Sequence, residues 1–266
     1  MNRLSKWLQT IKISISKQTA YKTNFVFLVI GPSVVFFFIK YNLWTAIYAA
    51  QDTTRIGGYN LASMLRYQLW TLVVAMFAQS YNAINLSEDI RLGRISAYMI
   101  YPFDFWQYHT ASFIGGLLIQ FFVACVTIFT FYYTTTLNEL NFTGLYQGFS
   151  IMILVAFLWY LISYTMGLLA FWLDETWVFR VIFVTIASFF SGSLLPIEVF
   201  PSWLATGVMY TPFPYLTWAP AKAFMNELPM PLWQCYGVLL LWLGVAFAGA
   251  QYTWSRGVKM YTAAGM

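Results

Sequence analysis

The side chains best able to do chemistry lie between Ser87 and Asp104, in the longest polar interruption of an apolar chain. The charged residues of this segment are Glu88, Asp89, Arg91, Arg94 and Asp104. Ser87 is a suitable cap for a short helix, and the positive first turn of that helix would suit Glu88 and Asp89. Charged side chains in a loop of this size could dock a soluble partner. The alternative is a solvated turn that only joins two membrane spans.

Catalytic and nucleotide-binding patterns are missing from the sequence. It contains no phosphate-binding loop of the form G-x-x-x-x-G-K-[ST], no H-E-x-x-H and no G-x-S-x-G. The single histidine, His109, stands at the start of an apolar segment. A metal site or a catalytic triad would need partners that the sequence does not place near it, so we expect a satisfied interfacial histidine. Cys125 and Cys235 lie in apolar segments at a spacing unlike a metal site. The chain is therefore predicted to be no enzyme and to bind no cofactor or metal.

The composition is that of an integral membrane protein. Of the 266 residues, 60% are hydrophobic and only 9% are charged, whereas about 25% of the residues in soluble domains are charged. The net charge of +5 does not indicate nucleic acid binding here, because the basic residues cluster at the start of the chain and follow the positive-inside rule. No ionisable residue is expected at mid-depth, which argues against an ion channel or an ion-coupled carrier.

The apolar segments predict six transmembrane helices in a single domain, residues 1–266, of an all-α membrane protein. The expected ranges are 24–39, 67–86, 108–133, 148–172, 177–195 and 232–254. An even number of spans places both termini on the same side, and most Lys and Arg residues then fall in the cytoplasm. Lys40 and Arg66 are expected to anchor at the outer interface.

Residues 1–22 are predicted to form an amphipathic helix that lies flat on the cytoplasmic leaflet. Apolar residues recur at helical spacing on one stripe, and basic residues lie opposite. The stripe consists of Leu4, Trp7, Leu8, Ile11 and Ile15. The alternative is a basic tail whose only effect is to determine the topology.

Residues 191–231 are as apolar as a membrane span, but seven of the nine prolines interrupt them. These are Pro196, Pro201, Pro212, Pro214, Pro220, Pro229 and Pro231. Proline removes a backbone donor and clashes with the preceding helical turn, so no unbroken membrane helix is expected here. Broken backbone at membrane depth needs cover from protein or from a water-filled cavity. The pattern predicts a re-entrant or interfacial hairpin on the outer side of the membrane.

Two stretches of the sequence resemble the type-2 ABC exporter permeases, the membrane subunits of bacterial drug, polysaccharide and lipid exporters. The first runs from Glu88 to Ile95 and continues to Tyr101-Pro102-Phe103. The second is the more specific, because its order of prolines and aromatics is hard to obtain from composition alone. It consists of Ser191-Gly192, Leu195-Pro196, Phe200-Pro201, Trp203-Leu204, Pro212-Phe213-Pro214-Tyr215 and Ala219-Pro220.

The resemblance implies that two permeases form the pathway and that a dimer of cytosolic ABC ATPase subunits, which bind ATP and magnesium, supplies the energy. It implies an interface helix from Leu4 to Ile15 and a coupling helix from Ser87 to Ile95. The expected ATPase contacts are Ser87, Glu88, Asp89, Ile90, Arg91, Gly93 and Arg94. The implied outer gate contains Gly192, Pro196, Pro201, Trp203, Pro212, Phe213, Pro214 and Pro220. The second permease is expected to be a different chain, and a homodimer is the alternative.

On this resemblance, the expected function is ATP-driven export of a hydrophobic or amphipathic small molecule or peptide across the bacterial cytoplasmic membrane. The partners would be the ATPase, a second permease and membrane lipid, not nucleic acid. One alternative is export of a polysaccharide or lipid-linked glycan, whose path would be lined by aromatic and polar side chains. Another is a non-transporting membrane anchor whose hairpin binds a partner. A membrane-embedded enzyme is disfavoured by the lack of a nucleophile-base pair or a metal cluster.

Overall fold

The computed structural model describes residues 3–20, 22–51, 54–78, 84–100, 104–134 and 141–261, and within these ranges the chain forms helices and no β-strand. The α-helices are α1 (Arg3–Thr19), α2 (Lys22–Gln51), α3 (Leu61–Ala78), α4 (Ile84–Arg91), α5 (Ile95–Ile100), α6 (Phe105–Thr134), α7 (Phe142–Leu168), α8 (Trp177–Phe190), α9 (Ser202–Val208), α10 (Phe213–Phe224) and α11 (Leu232–Met260). Two 3₁₀ helices are η1 (Leu169–Phe171) and η2 (Ile197–Val199). The predicted all-α class is confirmed. The predicted proline-aromatic pair at 101–103 lies outside the described residues.

Among the described residues, four helices are long and apolar enough to cross a membrane. They are Leu61–Ala78, Phe105–Tyr133, Phe142–Phe171 and Leu232–Met260, which correspond to the second, third, fourth and sixth predicted spans. The 30-residue α2 overlaps the first. The 14-residue α8 overlaps the fifth, but a helix of that length covers about 21 Å, less than the ~30 Å of a hydrocarbon core. The count of six spans therefore stays a prediction.

The second span begins earlier than its predicted range of 67–86. α3 starts at Leu61 and ends at Ala78. The missed signal is Asn60, whose side-chain oxygen accepts a hydrogen bond from the backbone N–H of Ser63 at 2.8 Å. Such a bond satisfies one of the donors that a helix start leaves without a partner. The polar residues before Tyr67 therefore belong to the helix and not to the preceding loop.

The fifth predicted span is also shorter than expected, because α8 stops at Phe190 and does not continue to Leu195. The chain turns at Gly192, whose φ of +79° is a left-handed conformation that glycine adopts readily. The space around Gly192 is also too small for a side chain. A Cβ atom on Gly192 would lie 2.7 Å from the Tyr67 hydroxyl and 2.8 Å from Cβ of Trp218.

Three consecutive carbonyl oxygens of this turn accept hydrogen bonds from three other helices. The donors are the backbone N–H of Trp218 to Ser191 (2.9 Å), the hydroxyl of Tyr67 to Gly192 (2.7 Å) and the ammonium of Lys40 to Ser193 (2.8 Å). The Lys40 ammonium also lies 3.1 Å from Oγ1 of Thr71, so it bonds to protein groups rather than acting only as the predicted interface anchor. The turn thereby joins α8 to α10, α3 and α2.

The helix α10 is enclosed by the rest of the protein, since every residue from Pro214 to Phe224 is buried. Pro214 lies in the first turn, where a missing N–H breaks no helical hydrogen bond. Pro220 lies inside α10, so a short helix continues past one of the prolines that were expected to prevent an unbroken membrane helix. Its ring removes only the one bond that an N–H would make to the Leu216 carbonyl, and neighbouring helices shield that position from lipid.

Close packing between α7 and α10 depends on two glycines. A Cβ atom on Gly144 would lie 2.6 Å from the Phe224 carbonyl oxygen, and one on Gly148 would overlap the Phe224 ring. That ring cannot easily move, because it stacks on Trp70 of α3 with centroids 4.3 Å apart. α10 is therefore wedged between α3 and α7.

The first helix packs along α6. Oγ of Ser14 donates a hydrogen bond to the Ser112 carbonyl at 3.0 Å, and Gly115 allows this approach, since a Cβ there would lie 2.9 Å from Cβ of Ser14. Of the predicted apolar stripe, Trp7, Ile11 and Ile15 are partly buried, whereas Leu4 and Leu8 are exposed. α1 forms the expected helix, and its placement on a membrane surface stays a prediction.

We expect the Gly148→Ala substitution to lower the stability of the protein, because the added methyl group overlaps a fixed aromatic ring. Overpacking of this kind typically costs roughly 1–3 kcal/mol. Gly244→Ala in α11 is the matched control, since nothing lies within 4 Å of a Cβ at that position. The midpoint of thermal unfolding in mild detergent should fall for the first variant only. Equal midpoints for the two variants would contradict the described packing of α10.

The Tyr67→Phe substitution tests the turn after α8. It leaves the buried carbonyl of Gly192 without its donor, which typically costs about 1–3 kcal/mol. Tyr146→Phe in α7 is the control, because the Tyr146 side chain is 74% exposed. Thermal unfolding should distinguish the two variants. A Tyr67→Phe protein as stable as the control would show that the hydroxyl does not stabilise the turn.

Candidate functional site

The segment predicted to contact an ATPase forms α4 and the turn that follows it. Ser87 does not cap this helix as predicted, because α4 begins at Ile84 and Ser87 lies inside it. Glu88 and Asp89 consequently lie in the second half of the helix, where the helix dipole disfavours negative charge. They therefore depend on basic side chains for compensation.

Basic residues supply that compensation and also tie α4 to the start of α8. Arg94 lies 3.7 Å from Oε1 of Glu88 and 3.2 Å from Oδ1 of Asp89. Nη1 of Arg91 donates a hydrogen bond to the Asp174 carbonyl at 2.7 Å. The side chains of Glu88, Arg91 and Arg94 are 44%, 45% and 55% exposed. Much of this charged surface is thus open to a partner.

The opposite face of α4 is apolar and fixed in place. Leu86 and Ile90 are one helical turn apart, and they are 0% and 4% exposed. α4 contacts both α7 and η1. Ile90 was expected among the ATPase contacts, but its side chain belongs to this internal face. Through this buried face, α4 is packed on α7 and η1.

The turn after α4 is connected to the end of α11. Gly93 has a φ of +71°, which suits the left-handed residue that ends many helices. The hydroxyl of Tyr261 donates a hydrogen bond to the Gly93 carbonyl at 2.8 Å and lies 3.0 Å from Oγ of Ser96. Sequence patterns gave no sign of this connection, because Tyr261 lies far along the chain.

A cavity of about 180 Å³ opens between α4, the end of α7 and the start of α8. Its charged lining residues are Glu88, Arg91, Glu175 and Arg180. Arg91 lies 3.9 Å from Oε1 of Glu175, so the cavity carries both signs of charge. Such a lining suits contacts within the protein or with a complementary protein surface better than binding of a simple ion.

α4 and the proline-rich segment 191–231 contact opposite ends of α7. This helix has 27 residues, which corresponds to about 40 Å. Its first turns touch Phe224 of α10 through Gly144 and Gly148, whereas η1, directly after its last turn, contacts α4. One continuous helix therefore connects the two regions that were singled out from the sequence.

The residues predicted to form an outer gate fall into three groups by exposure. Gly192, Pro196, Pro214 and Pro220 are buried, Pro212 and Phe213 are partly buried, and Pro201 and Trp203 are exposed. The exposed pair lies at the start of α9, where the Trp203 side chain is 74% exposed. Within residues 191–231, α10 is thus the buried part and α9 the exposed part, and the re-entrant placement of this hairpin in a membrane stays a prediction.

A polar cluster that sequence analysis missed holds the hairpin to the loop before α3. Nζ of Lys222 lies 3.3 Å from Oε1 of Glu198 and 3.3 Å from Oε2 of Glu227. Glu198 also accepts hydrogen bonds from Nε1 of Trp218 at 3.1 Å and from the Tyr59 hydroxyl at 3.2 Å. Burial and the charge of Glu198 raise the pKa of Tyr59, which keeps its hydroxyl protonated and able to donate. The available signal was the presence of charged residues in an apolar stretch.

His109 is buried in α6 among aromatic rings. Its ring centroid lies 4.4 Å from that of Phe105, 5.4 Å from that of Tyr108 and 6.2 Å from that of Tyr164. Aromatic rings therefore surround the imidazole, and its expected interfacial position stays a prediction. In the described part of the chain, no group of three or more His, Cys, Asp and Glu side chains is arranged to hold a metal ion.

Comparison with known proteins assigns the chain to a family. The family model described as "ABC-2 family transporter protein" matches residues 33–265, which include α4, the hairpin and every candidate span in the structure. A search of curated proteins found no match to the chain. The resemblance to type-2 ABC permeases is thus confirmed over nearly the whole sequence. The chain belongs to the ABC-2 family of transporter membrane proteins.

Proposed function

We propose that this permease is the membrane subunit of an ATP-driven exporter and forms half of the pathway together with a second permease. A cytosolic ATPase dimer, with ATP and magnesium, would supply the energy and would dock on α4. The exported compound would be hydrophobic or amphipathic. The membrane would be the bacterial cytoplasmic membrane, with α4 on its inner side and the hairpin on its outer side.

The observation that carries this proposal is the position of α4 among three longer elements. Leu86 and Ile90 attach it to α7 and η1, Arg91 attaches it to the turn before α8, and Tyr261 attaches its following turn to α11. Its outward face carries half-exposed charges. A short helix with this arrangement is suited to receive a soluble partner on one face and to move several membrane helices with the other.

The proposed mechanism follows from these attachments. Nucleotide binding in the ATPase can change the permease only if the ATPase contacts α4 differently in two arrangements of the subunit. Displacement of α4 would act on three places: the end of α7, the turn before α8 and Tyr261, directly after α11. Because the far end of α7 packs on α10, movement at α4 could alter the hairpin without any direct contact between the two sites.

Exposed apolar surface supports membrane lipid and a second permease as partners. Phe36 and Phe38 in α2 are 59% and 65% exposed, and Ile182 and Phe189 in α8 are 51% and 55% exposed. Such surface requires cover by lipid or by another apolar chain. We propose a heterodimer, because the short loops and the Glu88-to-Pro102 segment most resemble permeases that are encoded in pairs.

Charge reversal on α4 tests the proposed ATPase contact. In the purified complex, Arg94→Glu should reduce transport-stimulated ATP hydrolysis by at least about tenfold. Loss of a charged contact at an interface often costs about 2 kcal/mol or more. Arg55→Glu is the matched control, because Arg55 is exposed in the loop before α3 and would face the other side of the membrane. Both variants should insert and purify normally. Unchanged hydrolysis with Arg94→Glu would contradict the assignment of α4.

Thiol labelling tests the proposed orientation. In a background with Cys125→Ser and Cys235→Ala, the single changes Thr206→Cys and Tyr210→Cys should react with an impermeant reagent added outside intact cells. Both positions are exposed in or next to α9. Leu92→Cys, at a 54% exposed position after α4, should react only after the cells are opened. The opposite labelling pattern would overturn the topology.

A further inference from the structure

A groove of about 530 Å³ lies between η1 and the last turns of α11. Leu169 and Trp172 form one wall, and Tyr252, Arg256 and Lys259 form the other. The three residues of α11 are spaced four and three positions apart, which places them on one face of the helix. Nε1 of Trp172 donates a hydrogen bond to Sδ of Met260 at 2.8 Å, and both residues line the groove.

The length of α11 places this groove at the level of lipid headgroups. The helix has 29 residues, about 43 Å, whereas a hydrocarbon core is ~30 Å thick. A span that begins near Leu232 therefore leaves roughly the last two turns outside the hydrocarbon. Trp, Tyr and basic side chains are the residue types that favour this level of a bilayer.

The positive charges of the groove are not neutralised by the described part of the chain. No ion pair there involves Arg256 or Lys259, in contrast to Arg91 and Arg94 near α4. The guanidinium carbon of Arg256 lies 5.5 Å from the centroid of the Tyr252 ring, which holds it beside the groove. Two cations on one wall are complementary to a phosphate group.

We propose that this groove binds a membrane phospholipid with a net negative headgroup. Arg256 and Lys259 would contact the headgroup phosphate, and Tyr252 would flank it. The apolar surfaces of Leu169 and Trp172 would lie against the upper part of an acyl chain, which a free phosphate or nucleotide lacks. The proposal concerns binding alone and is independent of what the permease transports.

A lipid in this position would lie close to the coupling segment. Tyr261 follows directly after α11 and bonds to Gly93, in the turn after α4. The lipid would stabilise the last turns of α11. Through Tyr261 it would also stabilise the turn after α4. Anionic lipid would therefore affect the stability of the region that we propose receives the ATPase.

The test is a titration of the purified full-length protein with phosphatidylglycerol, followed by native mass spectrometry. The double variant Arg256→Gln/Lys259→Gln should bind the lipid roughly 25-fold more weakly, since each basic side chain near anionic lipid contributes about a fivefold gain. Arg256→Lys/Lys259→Arg should retain most of the affinity. Phosphatidylcholine should bind the normal protein and the first variant equally weakly.

A charge-matched control separates a built site from general attraction. Arg55→Gln removes one positive charge from an exposed position in the loop before α3 and should leave the phosphatidylglycerol binding unchanged, whereas the single variant Arg256→Gln should weaken it about fivefold. An equal loss from these two single variants would overturn the proposal, because net charge alone would then explain binding. Full lipid binding by Arg256→Gln/Lys259→Gln, together with loss of a co-purifying ATPase, would also overturn it and would make the groove a protein-docking surface.

Discussion

The backbone break after Phe190 leaves the carbonyl groups of three consecutive residues, Ser191 to Ser193, outside a regular helix in an apolar protein. Such groups are costly in lipid unless other groups of the protein bond to them. Here the donors come from α10, α3 and α2. The requirement that each carbonyl finds a donor brings these helices together around one turn, and the rest of the hairpin is built on that turn.

The same arrangement buries α10, and α10 is in turn linked to α4 through α7. Trp218 bonds to the turn, and Phe224, further along the same helix, packs on Trp70 and on the two glycines at the start of α7. α7 then extends to η1 and α4. The hairpin and α4 thus share a continuous packed helix, which gives a physical route by which events at one end could bias the other.

Much of the fold was predictable because it follows from local patterns. Apolar length predicted four of the long helices, the prolines predicted a broken segment, and charge density singled out α4. The helix boundaries were less predictable. Asn60 caps α3 through a single side-chain bond, and α8 can end at Phe190 because donors from distant parts of the chain bond to the carbonyls of Ser191 to Ser193. The same reason explains why the Lys222–Glu198 pair, the Arg91–Asp174 bond and the Tyr261–Gly93 bond were missed. Each joins residues that only the folded chain brings together, and no periodicity records such pairs.

In the proposed function, α4 is the surface of this permease on which a separate ATPase docks. The most direct test is purification of the tagged full-length protein in mild detergent, followed by mass spectrometry of the chains that accompany it. The account predicts a soluble ATPase with a phosphate-binding loop, together with a second multi-span permease. A folded preparation that retains no ATPase would contradict the account and would favour a membrane anchor that does not transport.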